Sequence, residues 1–266
     1  MVDAVKRADI APDGDAGMIL GWVYYFDVMV RFSLRHWRSE YIEATAKALG
    51  FDPKGEQECL MQYILARKSF ARGLPAISNH AHAVVRLLAE ISETAVYSSD
   101  ARYLTQEYQL HLNELRTKLQ NVSPRTQDVA LSSNEPLNHT ENMLELTRLA
   151  GLIHLERVSR NFSGHSASIR SWTKEALAII TELDSCFCPF ALFVVSCELM
   201  NDEERLIILD LYTRIETRPH LHSFMEVKLL IQTAWNQQDL AEDGELEYIQ
   251  KLNLVMSSRN VVPSLV

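Results

Sequence analysis

The sequence predicts an all-α protein, a multi-helix bundle around a central apolar helix, on three observations. Apolar residues recur at spacings of three and four, as in Val84, Leu87, Leu88 and Ile91. Helix start signals precede several of these periodic segments. Short β-branched segments of alternating polarity, which are typical of strands, are nearly absent.

The composition of the chain argues against several classes of protein. Apolar residues make up 47% of the 266 residues, which is enough for a sizeable core. No apolar run is long enough to span a membrane, and the N-terminus shows no secretion signal. Four cysteines are typical of reduced thiols in the cytosol or nucleus. The net charge of −9 disfavours direct contact with nucleic acid, because binding phosphates requires clustered Lys and Arg.

The first part of the chain is predicted to hold a leader and several helices. Residues 1–16 are polar and predict a disordered leader. The segment Met18–Leu49 predicts a largely buried helix, because its aromatic residues fall on several faces. Further helices are predicted over residues 56–72 and over Asn79–Leu119, with a kink near Ser98–Ser99.

Three arginines form the densest basic row on the first of these helices. Arg31, Arg35 and Arg38 follow the helical spacing, and Glu40 and Glu43 come soon after. The row is either a DNA-contacting face or a solvated helix face. The nearby glutamates favour the solvated face.

One segment has the composition of a loop. Residues 121–137 are rich in Ser, Asn and Pro and predict a surface loop. The helices on either side are too few to close separate cores, so a single domain is predicted over residues 17–257. Residues 258–266 are expected to form a C-terminal tail.

Capping signals mark helix starts in the second half. Asn138 and Glu141 have the spacing of a capping box. The same spacing recurs at two later starts: Asn201 with Glu204, and Ser223 with Glu226. Helices are predicted over these segments: Ser166–Leu183, Asn201–Thr217, 224–239 and 245–257.

The central helix is predicted from its lack of a polar face. Pro189 opens the short segment Phe190–Met200, which is apolar nearly all round. Such a helix must be covered on every side, so it is expected at the centre of the bundle. The helices around Trp172, Leu206–Leu211 and Trp235 are expected to pack over it.

One motif resembles a catalytic element without its context. Gly164-His165-Ser166 begins like the nucleophile elbow of an α/β-hydrolase. The final glycine is replaced by Ser168, and the preceding residues read as the polar end of a helix. Ser166 or Ser168 is therefore interpreted as a helix cap.

Metal and acid–base sites are not predicted. Cys186 and Cys188 are too few for structural zinc, which needs four ligands; Cys197 lies in an apolar helix and Cys59 is remote. These cysteines are interpreted as small buried residues. His154 is interpreted as a hydrogen-bonded core histidine. No catalytic residue, metal or cofactor is predicted, and the chain is expected not to be an enzyme.

Three groups of segments occur in an order that carries a family resemblance. The first is Gly21–Met29, and the second is Gly73–Pro75 followed by Leu87–Glu93. The third comprises these segments: Ala150–Leu155, Trp172 with Ala176-Leu177, Cys188–Phe193, Cys197-Glu198, Asp202–Arg205, Met225–Val227, Ala234-Trp235 and Asp239. Together they resemble the fungal-specific transcription factor domain that follows a binuclear zinc cluster in many fungal regulators. The resemblance covers residues 18–257.

This resemblance implies a regulatory module in the nucleus. Such a module modulates transcription by RNA polymerase II through the transcriptional machinery or co-regulator proteins, without contacting DNA itself. The six-cysteine zinc cluster and the earlier helices of the family are not found in this sequence. An N-terminally truncated member of the family is therefore expected.

Two other functions remain open. A helical receptor for a small hydrophobic ligand, such as a sterol or metabolite, is the first; helices 18–37, 144–155 and 190–200 would line its pocket. Met29, Met143 and Met200 would adapt to the ligand, unless these helices simply fill the core. The second is an unrecognised all-α enzyme that uses three neighbours: His154, Glu156 and Arg157.

Overall fold

The computed structural model describes residues 15–37, 68–73, 80–122, 138–183, 186, 188–216, 222–240, 247–259 and 262–265. Every regular element in these ranges is helical, so the all-α prediction is confirmed. The nine α-helices of the described chain are α1 (Asp15–Trp37), α2 (His80–Thr94), α3 (Gln106–Asn121), α4 (His139–His154), α5 (Ala167–Glu182), α6 (Pro189–Ser196), α7 (Asp202–Glu216), α8 (His222–Leu240) and α9 (Tyr248–Ser257). None of these helices is both long and apolar enough to cross a bilayer.

Two shorter helical elements complete the fold. A 3-10 turn over Phe70–Gly73 lies between α1 and α2. A π-helical turn over Leu155–Ser159 continues α4 without a break. Such wider turns are rare and often lie beside functional sites.

The predicted caps start α4 and α7 as expected. Glu141 N–H donates to Asn138 Oδ1 at 3.0 Å, and Asn138 N–H donates to Glu141 Oε2 at 2.9 Å, which completes a capping box. Glu204 N–H donates to Asn201 Oδ1 at 2.9 Å. These bonds satisfy backbone donors that the first helical turn leaves without a partner.

The third predicted cap is wrong. Ser223 lies inside α8, which begins one residue earlier. Glu226 has a different role, because its carboxylate accepts hydrogen bonds from Arg259 at 2.9 Å and ties α8 to the end of α9. The last helix instead begins with a capping box that the sequence analysis missed, between Glu247 and Gln250.

The segment Asn79–Leu119 is two helices and not one kinked helix. The first, α2, ends at Thr94, and the second, α3, begins at Gln106. Ser98–Ser99 lie in the turns between them. The interruption is wider than predicted because Ser and Asp compete for backbone hydrogen bonds and favour turns.

Several predicted features lie wholly or partly outside the described residues: the leader up to residue 14, the first helix beyond Trp37, residues 56–67 of the second helix, and residues 123–137 of the surface loop. At their edges, α1 already begins at Asp15, and the 3-10 turn replaces the predicted α-helix near residue 72. Leu265, in the predicted tail, is buried against the core. The division into a leader, one domain and a tail stays a prediction.

The central helix is α6. All eight of its residues are buried, including the polar Ser196. Pro189 occupies its first position, where a missing N–H costs no hydrogen bond. Helices α4, α5, α7 and α8 pack against it. The predicted covering helices, around Trp172, Leu206–Leu211 and Trp235, are therefore confirmed.

Helix α1 is buried all round in its second half, where residues 31–34 are all buried, as predicted for a largely buried helix. Along its earlier turns one row of residues stays exposed, so the prediction is wrong for that face. Met29 and Phe32 lie in the core, and the Phe32 ring meets the Phe190 ring edge-on at 5.2 Å. Trp22, by contrast, is 61% exposed. It belongs to a row at helical spacing, which we call the α1 stripe: Ile19, Trp22, Phe26 and Val30. When a helix carries aromatic residues on two faces, other elements need not pack against both faces.

A half-buried aspartate of α1 fixes the 3-10 turn. Asp27 accepts a hydrogen bond from Arg31 Nε at 2.9 Å, from Ser69 Oγ at 2.7 Å, and from Phe70 N–H at 2.9 Å. Arg31 is buried in this arrangement. Arg31 therefore lies neither on a DNA-contacting face nor on a solvated face. Arg38 lies outside the described residues.

Trp235 joins α8 to the central helix. Its ring is buried, and Nε1–H donates to the carbonyl of Ser196 at 2.8 Å. The guanidinium of Arg205, on α7, lies 5.3 Å from the ring centroid. One side chain thus links three helices.

Replacing Trp235 by Ala is expected to lower the free energy of unfolding by about 3–5 kcal/mol, because a buried ring is lost and a cavity remains. Trp235→Phe keeps much of the apolar surface and should cost less. Urea denaturation of both variants measures the difference. A Trp235→Ala variant as stable as the parent chain would show that α8 packs only loosely.

Two buried histidines meet in the core. The ring centroids of His36 and His154 are 6.0 Å apart, and Phe32 lies 4.9 Å from each. His36 Nδ1 donates to Asn253 Oδ1 at 2.9 Å, whereas no described residue bonds to Nε2 of His154. The core position predicted for His154 is confirmed, but Nε2 does not make the expected hydrogen bond.

Burial lowers the pKa of both imidazoles, that of His36 to about 4. Between about pH 6.5 and pH 4 the unfolded chain therefore binds more protons than the folded one. Stability is expected to decrease as the pH falls through this range, with His36 alone accounting for about 3 kcal/mol at the acid end.

Urea denaturation at neutral and acid pH tests this dependence. A His154→Leu variant should lose less stability on acidification than the parent chain. His165→Asn, at an exposed position, should behave like the parent. Identical losses in all three proteins would refute a contribution from the core histidines.

Candidate functional site

A cavity of about 830 Å³ lies among the later helices; we call it the C-terminal cavity. Its described wall comes from five parts of the chain: Arg157 of the π-helical turn, the loop 163–166 with the start of α5, the segment 197–201, the second half of α8, and α9. The volume is that of a typical small-molecule site.

The loop at this cavity is held at both ends. Asn161 adopts a left-handed backbone, with φ of 46°, which Asn tolerates better than most residues. Its Oδ1 accepts a hydrogen bond from Ile249 N–H at 3.1 Å. At the other end, Ser166 Oγ accepts a hydrogen bond from Ile169 N–H at 3.4 Å and caps α5. The predicted cap is confirmed, and no strand precedes Ser166 as a nucleophile elbow requires.

A buried ion pair forms part of the wall. Arg157 donates from Nε and Nη2 to Glu198, at 3.0 and 2.7 Å, and the two side chains are only 11% and 5% exposed. Nη1 of Arg157 donates to the carbonyls of Phe162 at 2.9 Å and Gly164 at 2.6 Å. The same guanidinium lies 5.6 Å from the ring centroid of Tyr248. The Arg157 guanidinium therefore joins three parts of the chain: the loop 162–164, the segment that follows α6, and helix α9.

The thiol of Cys197 and the phenol of Tyr248, which lie beside this ion pair, are protonated and uncharged at neutral pH. Burial raises the pKa of the Cys197 thiol far above its usual range, and the charge of Glu198 raises it further. Burial and Glu198 also raise the pKa of Tyr248 well above its usual value. Cys197 therefore remains a thiol and Tyr248 a phenol at neutral pH, so neither supplies an activated nucleophile or base.

The three neighbours considered for an enzyme do not converge. His154 lies in the core beside Phe32. Glu156 turns the other way and pairs with Arg160 at 3.4 Å. Only Arg157 reaches the C-terminal cavity. Successive residues of a helix point in different directions, so this set does not form a catalytic group.

The pocket expected between the apolar helices is not where the cavity lies. Met29 is buried in the core, and Met143 contacts the thiol of Cys188 at 3.8 Å. Met200 alone of the three methionines lines the C-terminal cavity. Helices α1 and α4 fill the core because their apolar faces meet α2, α5 and α6.

Cys186, Cys188 and Cys197 have free thiols. Cys186 is buried, and Cys188 lies 3.6 Å from Thr147 Oγ1, so both fit their interpretation as small core residues. In the ranges that the structure describes, no three His, Cys, Asp or Glu side chains are grouped as metal ligands. The expectation that the chain binds no metal or cofactor stays a prediction.

Comparison with known proteins identifies the family. The model of the fungal-specific transcription factor domain matches residues 6–254. The chain belongs to this family. Transcription factor iacI of Pestalotiopsis fici is 27% identical over 252 residues, which cover 94% of this chain and 59% of that protein. No solved structure gives a significant match.

The resemblance predicted from the three groups of segments is thus confirmed. The chain spans about three fifths of the length of its curated relative. Because the family match ends at residue 254, it includes all but one of the residues that line the C-terminal cavity.

Removing the carboxylate of the buried pair tests the wall of the cavity. Glu198→Ala leaves Arg157 buried without its partner, so the free energy of unfolding should fall by about 3–5 kcal/mol. Glu114→Ala breaks the exposed pair with Lys118 and should leave the melting temperature unchanged. Equally small effects of both substitutions on thermal denaturation would show that water reaches the Arg157 guanidinium freely.

Proposed function

We propose that this chain is the regulatory module of a fungal-specific transcription factor. It acts in the nucleus, modulates transcription by RNA polymerase II, and neither contacts DNA nor catalyses a reaction. The family supplies the regulatory role. The pairing of arginines with carboxylates supports a module that does not bind DNA.

Arginines of the described chain are extensively paired with carboxylates, both in the core and at the surface. Representative pairs are Arg31–Asp27 at 2.9 Å, Arg170–Glu204 at 2.7 Å, Arg205–Asp239 at 2.8 Å and Arg259–Glu226 at 2.9 Å. A DNA phosphate would have to displace these carboxylates from a chain whose net charge is −9. The partners are therefore proteins, either the transcriptional machinery or co-regulators.

A tethering experiment tests both halves of this proposal. Fused to an unrelated DNA-binding domain, the chain is expected to change transcription of an RNA polymerase II reporter relative to that domain alone. The purified chain is expected to enrich no sequence from a random duplex pool at physiological salt. An unchanged reporter would overturn the regulatory role, and an enriched duplex would overturn the absence of DNA contact.

The C-terminal cavity favours a second function for the same module, that of a ligand receptor. Apolar side chains of α8 and α9, such as Ala234, Leu252 and Val255, form part of its wall. Filling the cavity removes their surface from water and stabilises the folded module by mass action. A ligand that binds one conformation better than another shifts the population towards it, which is the usual basis of regulation by small molecules.

A further inference from the structure

We propose that the C-terminal cavity binds an amphiphilic organic acid, a molecule with an apolar body and a single carboxylate. This inference rests on the receptor function and specifies the chemistry of the ligand. It follows from three properties of the described lining residues: their apolar surface, their excess of cations over carboxylates, and one cation that has no partner among them or elsewhere in the described ranges.

The apolar part of the wall accounts for the body of the ligand. Buried Ile169 on α5 and Leu252 on α9 line the cavity together with the exposed side chains of Met200 and Leu240. The flexible thioether of Met200 can adapt to different shapes. With a volume of about 830 Å³, the cavity accommodates a single alkyl chain or a fused ring system.

The charged residues of the wall are mainly cations. Arg157, Arg170 and Lys251 line the cavity, and Glu198 is the one carboxylate among the described lining residues. Glu198 holds Arg157, and Glu204 holds Arg170 at 2.7 Å. Among the described lining residues, cations thus outnumber carboxylates, although the chain as a whole carries a net charge of −9. Such a local excess attracts an anion from solution.

Lys251 is the cation available to this anion. It is half-buried on α9, and no described carboxylate or carbonyl is bonded to its Nζ. A neutral sterol would cover this ammonium group without pairing it, which carries a desolvation cost. A carboxylate would instead form a charge-assisted hydrogen bond with it.

Other donors reinforce the preference for a single negative charge. The amide of Gln237 and the imidazole of His165 line the same cavity. So does the first turn of the 16-residue helix α5, where the helix dipole contributes partial positive charge. One ammonium group without a partner among the described residues matches one carboxylate better than it matches a doubly charged phosphate ester.

Calorimetric titration of the purified chain tests the assignment at a pH where the acid is ionised. The probes are dodecanoic acid and dodecanol, which share one alkyl chain, and the aromatic pair naphthylacetic acid and naphthylethanol. In the pair that fits the cavity, the acid is expected to bind roughly tenfold more tightly than the alcohol. The two pairs distinguish an aliphatic from an aromatic ligand.

Three variants locate the binding. Lys251→Gln should weaken binding of the acid by roughly tenfold and leave binding of the alcohol nearly unchanged. Lys174→Gln removes the same charge from an exposed position of α5 outside the wall and should change neither affinity. Leu254→Trp places a large ring in the cavity and should weaken both.

The outcomes separate this inference from the receptor function. Equal affinities of acid and alcohol, both reduced by Leu254→Trp, would overturn the acid and leave the receptor function intact. A preference for the acid that survives in Lys251→Gln would overturn the role of Lys251. Binding of none of the four probes, nor of ergosterol as a neutral sterol, would overturn both the inference and the receptor function.

Discussion

A helix buried on every face dictates the positions of the helices around it. No residue of α6 can face water without exposing apolar surface, so α4, α5, α7 and α8 must all cover it. Two of these covering helices, α5 and α8, also line the C-terminal cavity. A ligand in that cavity would therefore contact the same helices on which the burial of the core depends, which gives binding a route to the stability of the whole module.

Polar side chains fix the chain where regular structure ends. Beyond α6, the carbonyl of Ser196 accepts a hydrogen bond from Trp235, and the carbonyl of Leu199 accepts one from Arg205 at 3.2 Å. Glu198, between them, pairs with Arg157. The turns that follow α6 are thereby held by three other helical elements, and the carbonyls of Ser196 and Leu199 are satisfied away from water.

The sequence predicted the features that are encoded locally. Capping and apolar period located α4, α5, α6 and α7, because the responsible residues lie within a few positions of one another. The α1 stripe was missed because spacing shows which residues share a face but not which face is covered. The C-terminal cavity was not predicted either. Residues as far apart in the sequence as Arg157 and Lys251 line its wall only because the helices pack together. No sequence motif marks the lining residues between them.

The π-helical turn after His154 fixes the number of residues between the end of α4 and Arg157. One residue added to or removed from a helix rotates everything beyond it by about 100° around the axis. The turn follows a histidine directed into the core and itself contains Arg157, which holds the loop 162–164. A single-residue insertion or deletion there would swing Arg157 out of reach of Glu198 and release the loop at the same time.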